Sequence, residues 1–336
     1  MYFLTLSIYF VGAYLINDAS FASKIGLFGD MIVFSSYAMQ VIMSFLMLAM
    51  IFMMLPRAQV SAKRINEVLD KKVKIKEGNI TSSKEVGTIS FKNVSFKYPE
   101  AEEYVLKDIS FDIKKGETVA FIGSTGSGKS TLINLIPRFY DVTDGEVLVD
   151  NINVKEYKEE VLNDKIGYIP QKAVIFSGTI NSNIGFGKIN GKKPSSKNIK
   201  EAANVAQASE FIEKLDEKYD SLVARSGTNL SGGQKQRLSI ARAIARNPEI
   251  YIFDDSFSAL DYKTDYTLRS ELKKYTKSAT VLIVAQRIGT ILNADKIVVL
   301  DNGKCVGIGT HKELLKSCEV YKEIALSQLK EDELNA

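Results

Sequence analysis

The residues best placed to do chemistry lie between Val119 and Ile136, in the run V-A-F-I-G-S-T-G-S-G-K-S-T-L-I-N-L-I. Gly123, Gly128, Lys129 and Ser130 meet the spacing G-x-x-x-x-G-K-[ST]. A short β-type run, Val119 to Ile122, enters this turn and an apolar helical run leaves it. Glycines let the backbone of Gly123, Ser124, Thr125, Gly126, Ser127 and Gly128 bend until successive N–H groups point inward at an anion. Lys129 then supplies a point charge for the β/γ-phosphates, Ser130 offers its hydroxyl to Mg²⁺, and Thr131 continues the helix. A plain strand-to-helix turn also carries Gly and Ser. With strand, loop, Lys-Ser and helix all in order, the stretch points to a bound nucleoside triphosphate with Mg²⁺.

Three further constellations suit the same chemistry. Leu230-Ser231-Gly232-Gly233-Gln234 opens a helical pattern, with Ser231 as its N-cap and two glycines that admit an anion close to the backbone. Ile250-Tyr251-Ile252-Phe253-Asp254 is an apolar strand ending in a carboxylate that can orient Mg²⁺ or its water. Gln171 follows Pro170 at the end of another strand and brings an amide to the same edge.

These groups need a sheet to hold them, and the order of elements predicts one. A strand from Ile89 ending at Tyr98-Pro99, then Ile109 to Ile113, Gly145 to Asp150, Lys165 to Ile169, Ile250 to Phe253, Thr280 to Val284 and Lys296 to Leu300 are read from the pattern. Helical patterns dominate from about Asn181 to Arg246, interrupted by a polar insert, Lys188 to Lys200. Asp301-Asn302-Gly303 reads as a hairpin turn, and two amphipathic helices follow it. The alternation implies an α/β fold with a largely parallel sheet and a helical subdomain over about 172–246.

The 336 residues divide sharply by composition. Residues 1–56 carry only Asp18, Lys24 and Asp30 as charges, whereas the remainder is charged and mixed in sign. Two transmembrane helices are expected, over about 2–17 and 31–55, separated by an outward loop from Asn17 to Asp30. Arg57, Lys63, Arg64, Lys71 and Lys72 follow the second, opposed only by Glu67 and Asp70, which places that end in the cytoplasm. The expected organisation is a partial membrane domain over 1–72, a linker over 73–88, a nucleotide-binding domain over 89–329 and a tail over 330–336. Met39, Met43, Met47, Met50 and Met54 share one helical face, with Ser36, Gln40 and Ser44 on the next stripe. Methionine fills gaps between helices; the same pattern also suits an adaptable wall of a substrate path with Gln40 as its polar element.

A net charge of +4 is too small to argue for nucleic acid. Cys305 and Cys318 fall on elements expected to lie apart, which suggests neither a disulfide framework nor a zinc site. Met1 opens on apolar sequence without a basic n-region or an A-x-A site, so no cleaved signal peptide is expected.

With G-S-T-G-S-G-K-S, L-S-G-G-Q, I-Y-I-F-D-D and S-A-L-D in that order, residues 89 to 325 resemble the nucleotide-binding domain of ATP-binding-cassette transporters. The two apolar segments, ending in R-A-Q-V-S-A-K-R-I, are similar to the last spans of a type I (multidrug-type) exporter half-subunit. Such a half-subunit has six spans, so the resemblance implies that four are absent here, as in a fragment or a truncated reading frame. It further implies that Tyr98 stacks on adenine, Gln171 senses Mg²⁺ and the membrane domain, and Ser258 to Asp261 cross a dimer interface. The implied setting is a lipid bilayer, with the cassette in the cytoplasm and a second half-subunit as partner. The transported substrate is not legible.

Two positions depart from that family's pattern. Asp255 stands where the family usually places the glutamate that activates water, and its carboxylate is withdrawn by one methylene. Gln286 stands where a switch histidine is usual, and the chain's sole histidine is His311. An amide can hydrogen-bond a phosphate oxygen but cannot carry a proton as imidazole does. The pair resembles the degenerate-site subunit of heterodimeric exporters, with an active homodimer as the alternative. A cassette ATPase acting as a mechanical clamp, or an inactive remnant, are the competing functions; the uncharged Met31 to Leu55 run speaks against the clamp.

Overall fold

The computed structural model describes residues 2–73, 75–188 and 191–329. The chain forms two compact units, Met1–Lys74 and Ile75–Ala336; the expected tail, 330–336, lies outside the described residues.

The first unit is a helical hairpin of α1 (Tyr2–Asp18) and α2 (Phe21–Leu69). The sequence signal for a break at Asn17–Ser20 is met by a turn at Ala19–Ser20, closed by a Ser23 N–H to Ser20 carbonyl bond of 2.9 Å. The expected loop from Asn17 to Asp30 is otherwise helix. Residues 21–30 carry on the apolar stripe that faces α1: Leu27, Met31, Ser35, Ala38, Met39 and Ile42 are its less exposed positions. Gly12 permits this approach, because a Cβ there would stand 2.3 Å from Met31 Sδ. Among the described residues, only α2 is long and apolar enough to cross a membrane by length and composition. At 17 residues, α1 reaches about 25 Å and falls short of a roughly 30 Å hydrocarbon core. Pro56 sits inside α2 where the apolar run gives way to the basic segment, and it withdraws one backbone donor there. An apolar cavity of about 410 Å³ lies between the two helices.

The second unit contains twelve strands among its described residues: β1 (Ile89–Phe96), β2 (Leu106–Ile113), β3 (Thr118–Gly123), β4 (Asp144–Val149), β5 (Ile152–Asn153), β6 (Ile166–Ile169), β7 (Gly178–Thr179), β8 (Leu222–Val223), β9 (Ile250–Asp254), β10 (Thr280–Val284), β11 (Lys296–Asp301) and β12 (Lys304–Gly309). The main sheet has the order β12-β11-β3-β10-β9-β6, parallel except for β12. Its register aligns Val284 with both Phe121 and Asp254, and Ile169 with Phe253. The C-terminal ends of β3, β6, β9 and β10 therefore share one edge. All five residues of β9 are buried, as expected of a strand covered on both faces.

A smaller antiparallel sheet, β2-β1-β4-β5, shares its core with one face of the main sheet. Leu132 and Ile133, from the short helix α3 (Lys129–Asn134), are fully buried in that core together with Phe91, Val94 and Phe96. The phosphate loop is thus braced from behind by two sheets. Residues 172–246 are largely helical as expected, but the little β7–β8 pair lies within them. The polar insert is also shorter than expected. A helix, Ser196–Val205, starts inside it because Ser195 accepts the Asn198 N–H at 3.2 Å and Ile199, Ala202 and Ala203 supply a buried face.

Asp301-Asn302-Gly303 does turn β11 into β12, with positive φ at Asn302 (45°) and Gly303 (76°). Within the second unit, Gly78 and Ile80 N–H donate to the Tyr157 and Glu156 carbonyls. The two cysteines are not far apart. β12 folds back beside the closing helices, so Cys305 Sγ lies 3.8 Å from the Gly307 carbonyl and Cys318 Sγ 3.9 Å from that of Val306.

Candidate functional site

The loop between β3 and α3 is shaped by what its glycines must avoid. Gly128, at φ +97°, opens α3, and a Cβ there would press on Leu106 Cδ2 at 2.7 Å. At Gly123 a Cβ would fall 2.0 Å from the Leu300 carbonyl oxygen. Ser124, Thr125 and Gly126 are exposed, whereas Ser127, Gly128 and Lys129 are buried. The Lys129 ammonium turns back onto the loop, donating to the carbonyls of Gly123 (2.9 Å) and Ser124 (2.7 Å) and to Ser127 Oγ (3.3 Å). Burial lowers its pKa, opposed by the carboxylates of Asp255 and Asp254. Thr131 Oγ1 and Tyr98 OH share a 2.9 Å hydrogen bond, and the half-buried Tyr98 ring meets Phe96 and Tyr140 edge-on.

Across the sheet edge stand the carboxylates. Asp254 Oδ1 accepts from Ser130 Oγ at 2.8 Å, which joins the loop's hydroxyl to the end of β9. Asp254 Oδ2 faces Tyr168 OH at 3.3 Å, and that phenol also meets Asn134 Oδ1 at 2.9 Å. Burial raises the Asp254 pKa, while Ser130, Tyr168 and Lys129 work against the rise. Asp255 holds a left-handed backbone, φ 46°, and its N–H donates to the Val284 carbonyl at 3.0 Å. Its Oδ2 accepts from two amides, Gln171 Nε2 at 3.1 Å and Gln286 Nε2 at 2.8 Å. Burial raises the Asp255 pKa; Gln171 lowers it, Asp254 raises it, and Arg287 and Lys129 lower it. The structure thus brings Lys129, Ser130, Asp254, Asp255, Gln171 and Gln286 to one edge.

It does not bring Ser231–Gln234 there. Ser231 caps helix Gly232–Ala245 through a reciprocal box, its Oγ accepting Gln234 N–H at 3.3 Å while Gln234 Oε1 accepts Ser231 N–H at 2.8 Å. Gly232 faces open space, and a Cβ on Gly233 would meet Ala259 O at 3.4 Å and Leu260 Cδ2 at 3.7 Å. The segment Ser258–Asp261 therefore lies against this helix start. Asp261 caps the next helix through the Thr264 N–H at 3.0 Å, which holds its carboxyl below the ordinary range.

Residues 106–258 match the ABC transporter family. An uncharacterized ABC transporter ATP-binding protein of Mycobacterium tuberculosis is 45% identical over 305 residues, covering 89% of this chain and 52% of that protein. One from Bacillus subtilis is 42% identical over 323 residues, 96% of this chain and 55% of the relative. The second unit thus carries an ABC transporter ATP-binding domain, matched over residues 106–258. A putative multidrug export ATP-binding/permease protein of Staphylococcus aureus is 45% identical over 260 residues, 77% of this chain and 44% of its own length. A bacterial Atm1-family ABC exporter, solved with ATP bound, superposes with a TM-score of 0.74 at 31% identity, over 90% of this chain and 53% of that one. The chain spans about half the length of each of these relatives.

The donor set of this ABC cassette fits ATP with Mg²⁺. A serine hydroxyl and one carboxylate, 2.8 Å apart, are hard oxygen donors, and Mg²⁺ typically takes one or two such protein ligands beside substrate phosphates. Four contributors carry little sequence signal. Tyr168 OH lies between Asp254 and Asn134, from strand and helix positions that read as core. Arg287 lines the 110 Å³ cleft beside Asp255 and Gln286, and reads as a loop cation. Gln328, the last residue of helix Glu319–Gln328, donates to the Gln286 carbonyl at 2.8 Å.

Proposed function

We propose that the chain is the ATP-binding part of an ABC exporter subunit, paired with a second half-subunit in a lipid bilayer, and that its own phosphate-loop site is degenerate. Gly123–Thr131 cradle the phosphates, with Lys129 on the β/γ-phosphates and Tyr98 against adenine. Ser130, Asp254 and Gln171 hold Mg²⁺, which supplies charge neutralisation when bound. Asp255 occupies the place of the water-activating base, and Gln286 the place of the γ-phosphate sensor. Ser231–Gln234 complete the partner's site, and Ser258–Asp261 cross the interface between them. The cassette is cytoplasmic and the membrane is the cell membrane.

The observation that carries this reading is the shared Oδ2 of Asp255. Both Gln171 and Gln286 donate to it, so the carboxylate is held by neutral amides at a reach one methylene shorter than glutamate. A displacement of about 1 Å can cost on the order of a hundredfold in rate. ATP at Lys129 is then turned over slowly as a clamp, while ATP facing Ser231 drives the cycle. In mixed dimers, Ser231→Arg in this chain abolishes most turnover, whereas Asp255→Asn leaves most of it; the reverse order overturns the asymmetry.

A further inference from the structure

The loop that carries Gln286 is tied to the far end of the chain by one side chain. Gln328 Nε2 donates to the Gln286 carbonyl at 2.8 Å, and Gln328 Oε1 accepts the Ile288 N–H at 2.9 Å. The two partners fix the orientation of the amide, because one can only accept and the other can only donate. Ile288 is the first residue of a short helix, Ile288–Ile291, whose N-cap residue, Arg287, makes no side-chain cap bond. The N–H of a first-turn residue lacks an intrahelical partner, and Ile288 is fully buried. Gln328 therefore does from 40 residues away what an N-cap side chain does locally.

The helix that ends in Gln328 is itself fixed. Tyr321 and Ala325 are fully buried in the core that also holds Ile288 and Ile291, and Tyr321 OH meets His311 Nδ1 at 2.8 Å. On its other side the Gln286 loop is held by strand bonds, Ala285 N–H to Phe121 O and Asp255 N–H to Val284 O. Between these anchors the Gln286 side chain reaches Asp255.

We propose that Gln328 is a positioning residue for ATP hydrolysis, holding residues 286–288 so that the Gln286 amide meets the Asp255 carboxylate. The inference rests on the reading of Asp255 and Lys129 as parts of an ATP site. No shorter or singly functional side chain replaces it: leucine makes neither bond, and glutamate accepts from Ile288 but sets two oxygens face to face at Gln286.

The test is single-turnover hydrolysis by the full-length chain in detergent, with ATP titrated, for Gln328→Leu, Gln328→Glu, Gln286→Ala and Gln328→Leu/Gln286→Ala, beside Lys129→Ala as control. Gln328→Leu and the isosteric Gln328→Glu each change the hydrolysis rate by about fivefold or more while half-saturation by ATP moves less than twofold, since the latch touches no phosphate-loop residue. Adding Gln328→Leu to Gln286→Ala changes nothing further, because the two act through one contact. Gln328→Glu equal to the parent, a full additive effect in the double variant, or an effect on ATP affinity alone overturns the latch. If Lys129→Ala leaves the signal intact, it is the site assignment that fails, not the latch.

Discussion

Gln286 Nε2 stands 2.8 Å from Asp255 Oδ2, the same oxygen that receives Gln171 Nε2 at 3.1 Å. Two loops, following β6 and β10, thus converge through neutral donors on one carboxylate atom of the loop that follows β9. Such donors stabilise the ionised carboxylate and fix its direction. They cannot shuttle a proton. The proposed slow hydrolysis at this site rests on that relationship.

Removal of the loop cation gives the first prediction. Lys129→Ala deletes a charge-assisted phosphate contact worth about 1.5–3 kcal/mol and weakens ATP binding by roughly 10- to 100-fold. Tyr98→Ala weakens it less, since it removes one aromatic face and the bond to Thr131. Equilibrium binding of a fluorescent ATP analogue measures both; a Lys129→Ala chain that binds like the parent refutes the loop assignment.

The acid limb of the rate gives the second. Burial holds the Asp255 carboxyl above its ordinary value, and Gln171 pulls it back down. Water activation needs the ionised form, so single-turnover rates fall as pH drops through that raised value. Gln171→Leu removes a stabiliser of the ionised form and moves the limb to higher pH. A limb that stays put or moves down in Gln171→Leu rules out Asp255 as the titrating base.

The membrane helix gives the third. Met39 faces α1, with Thr5 Oγ1 at 4.0 Å from its sulfur, so the five methionines do not all share one environment. Ser36, Gln40 and Ser44 lie round the helix from that contact. In the full-length, inward-facing assembly, cysteine at position 40 reacts with a polar thiol reagent several-fold faster than cysteine at position 46. Equal protection of the two positions removes the case for a pathway face.

The phosphate loop and eight of the twelve described strands (all but β5, β7, β8 and β12) were legible in the sequence because each rests on local pattern. β9 is an unbroken apolar run, and Gly128 and Gly123 occupy places where backbone or side chain excludes a Cβ. Segments governed by tertiary packing were not. Residues 21–30 look like a polar-tipped loop until their stripe against α1 is known, and the 188–200 insert hides a capped helix. Cys305 and Cys318 read as remote because nothing local reveals how β12 folds back. Gln328 is one polar residue at a helix end, and its two partners lie 40 and 42 residues upstream. Tyr168 stands 86 residues from the carboxylate it faces. Contacts of that span leave no local trace.

The central claim is that Asp255 and Gln286 make this chain's own site slow, and its most direct test is single-turnover ATP hydrolysis by the chain without a partner subunit. The parent hydrolyses bound ATP slowly, and Asp255→Glu with Gln286→His raises the rate by on the order of a hundredfold, restoring reach and a proton carrier. Brisk hydrolysis by the unmodified chain, lost on Asp255→Asn, contradicts the account and makes this an ordinary active site.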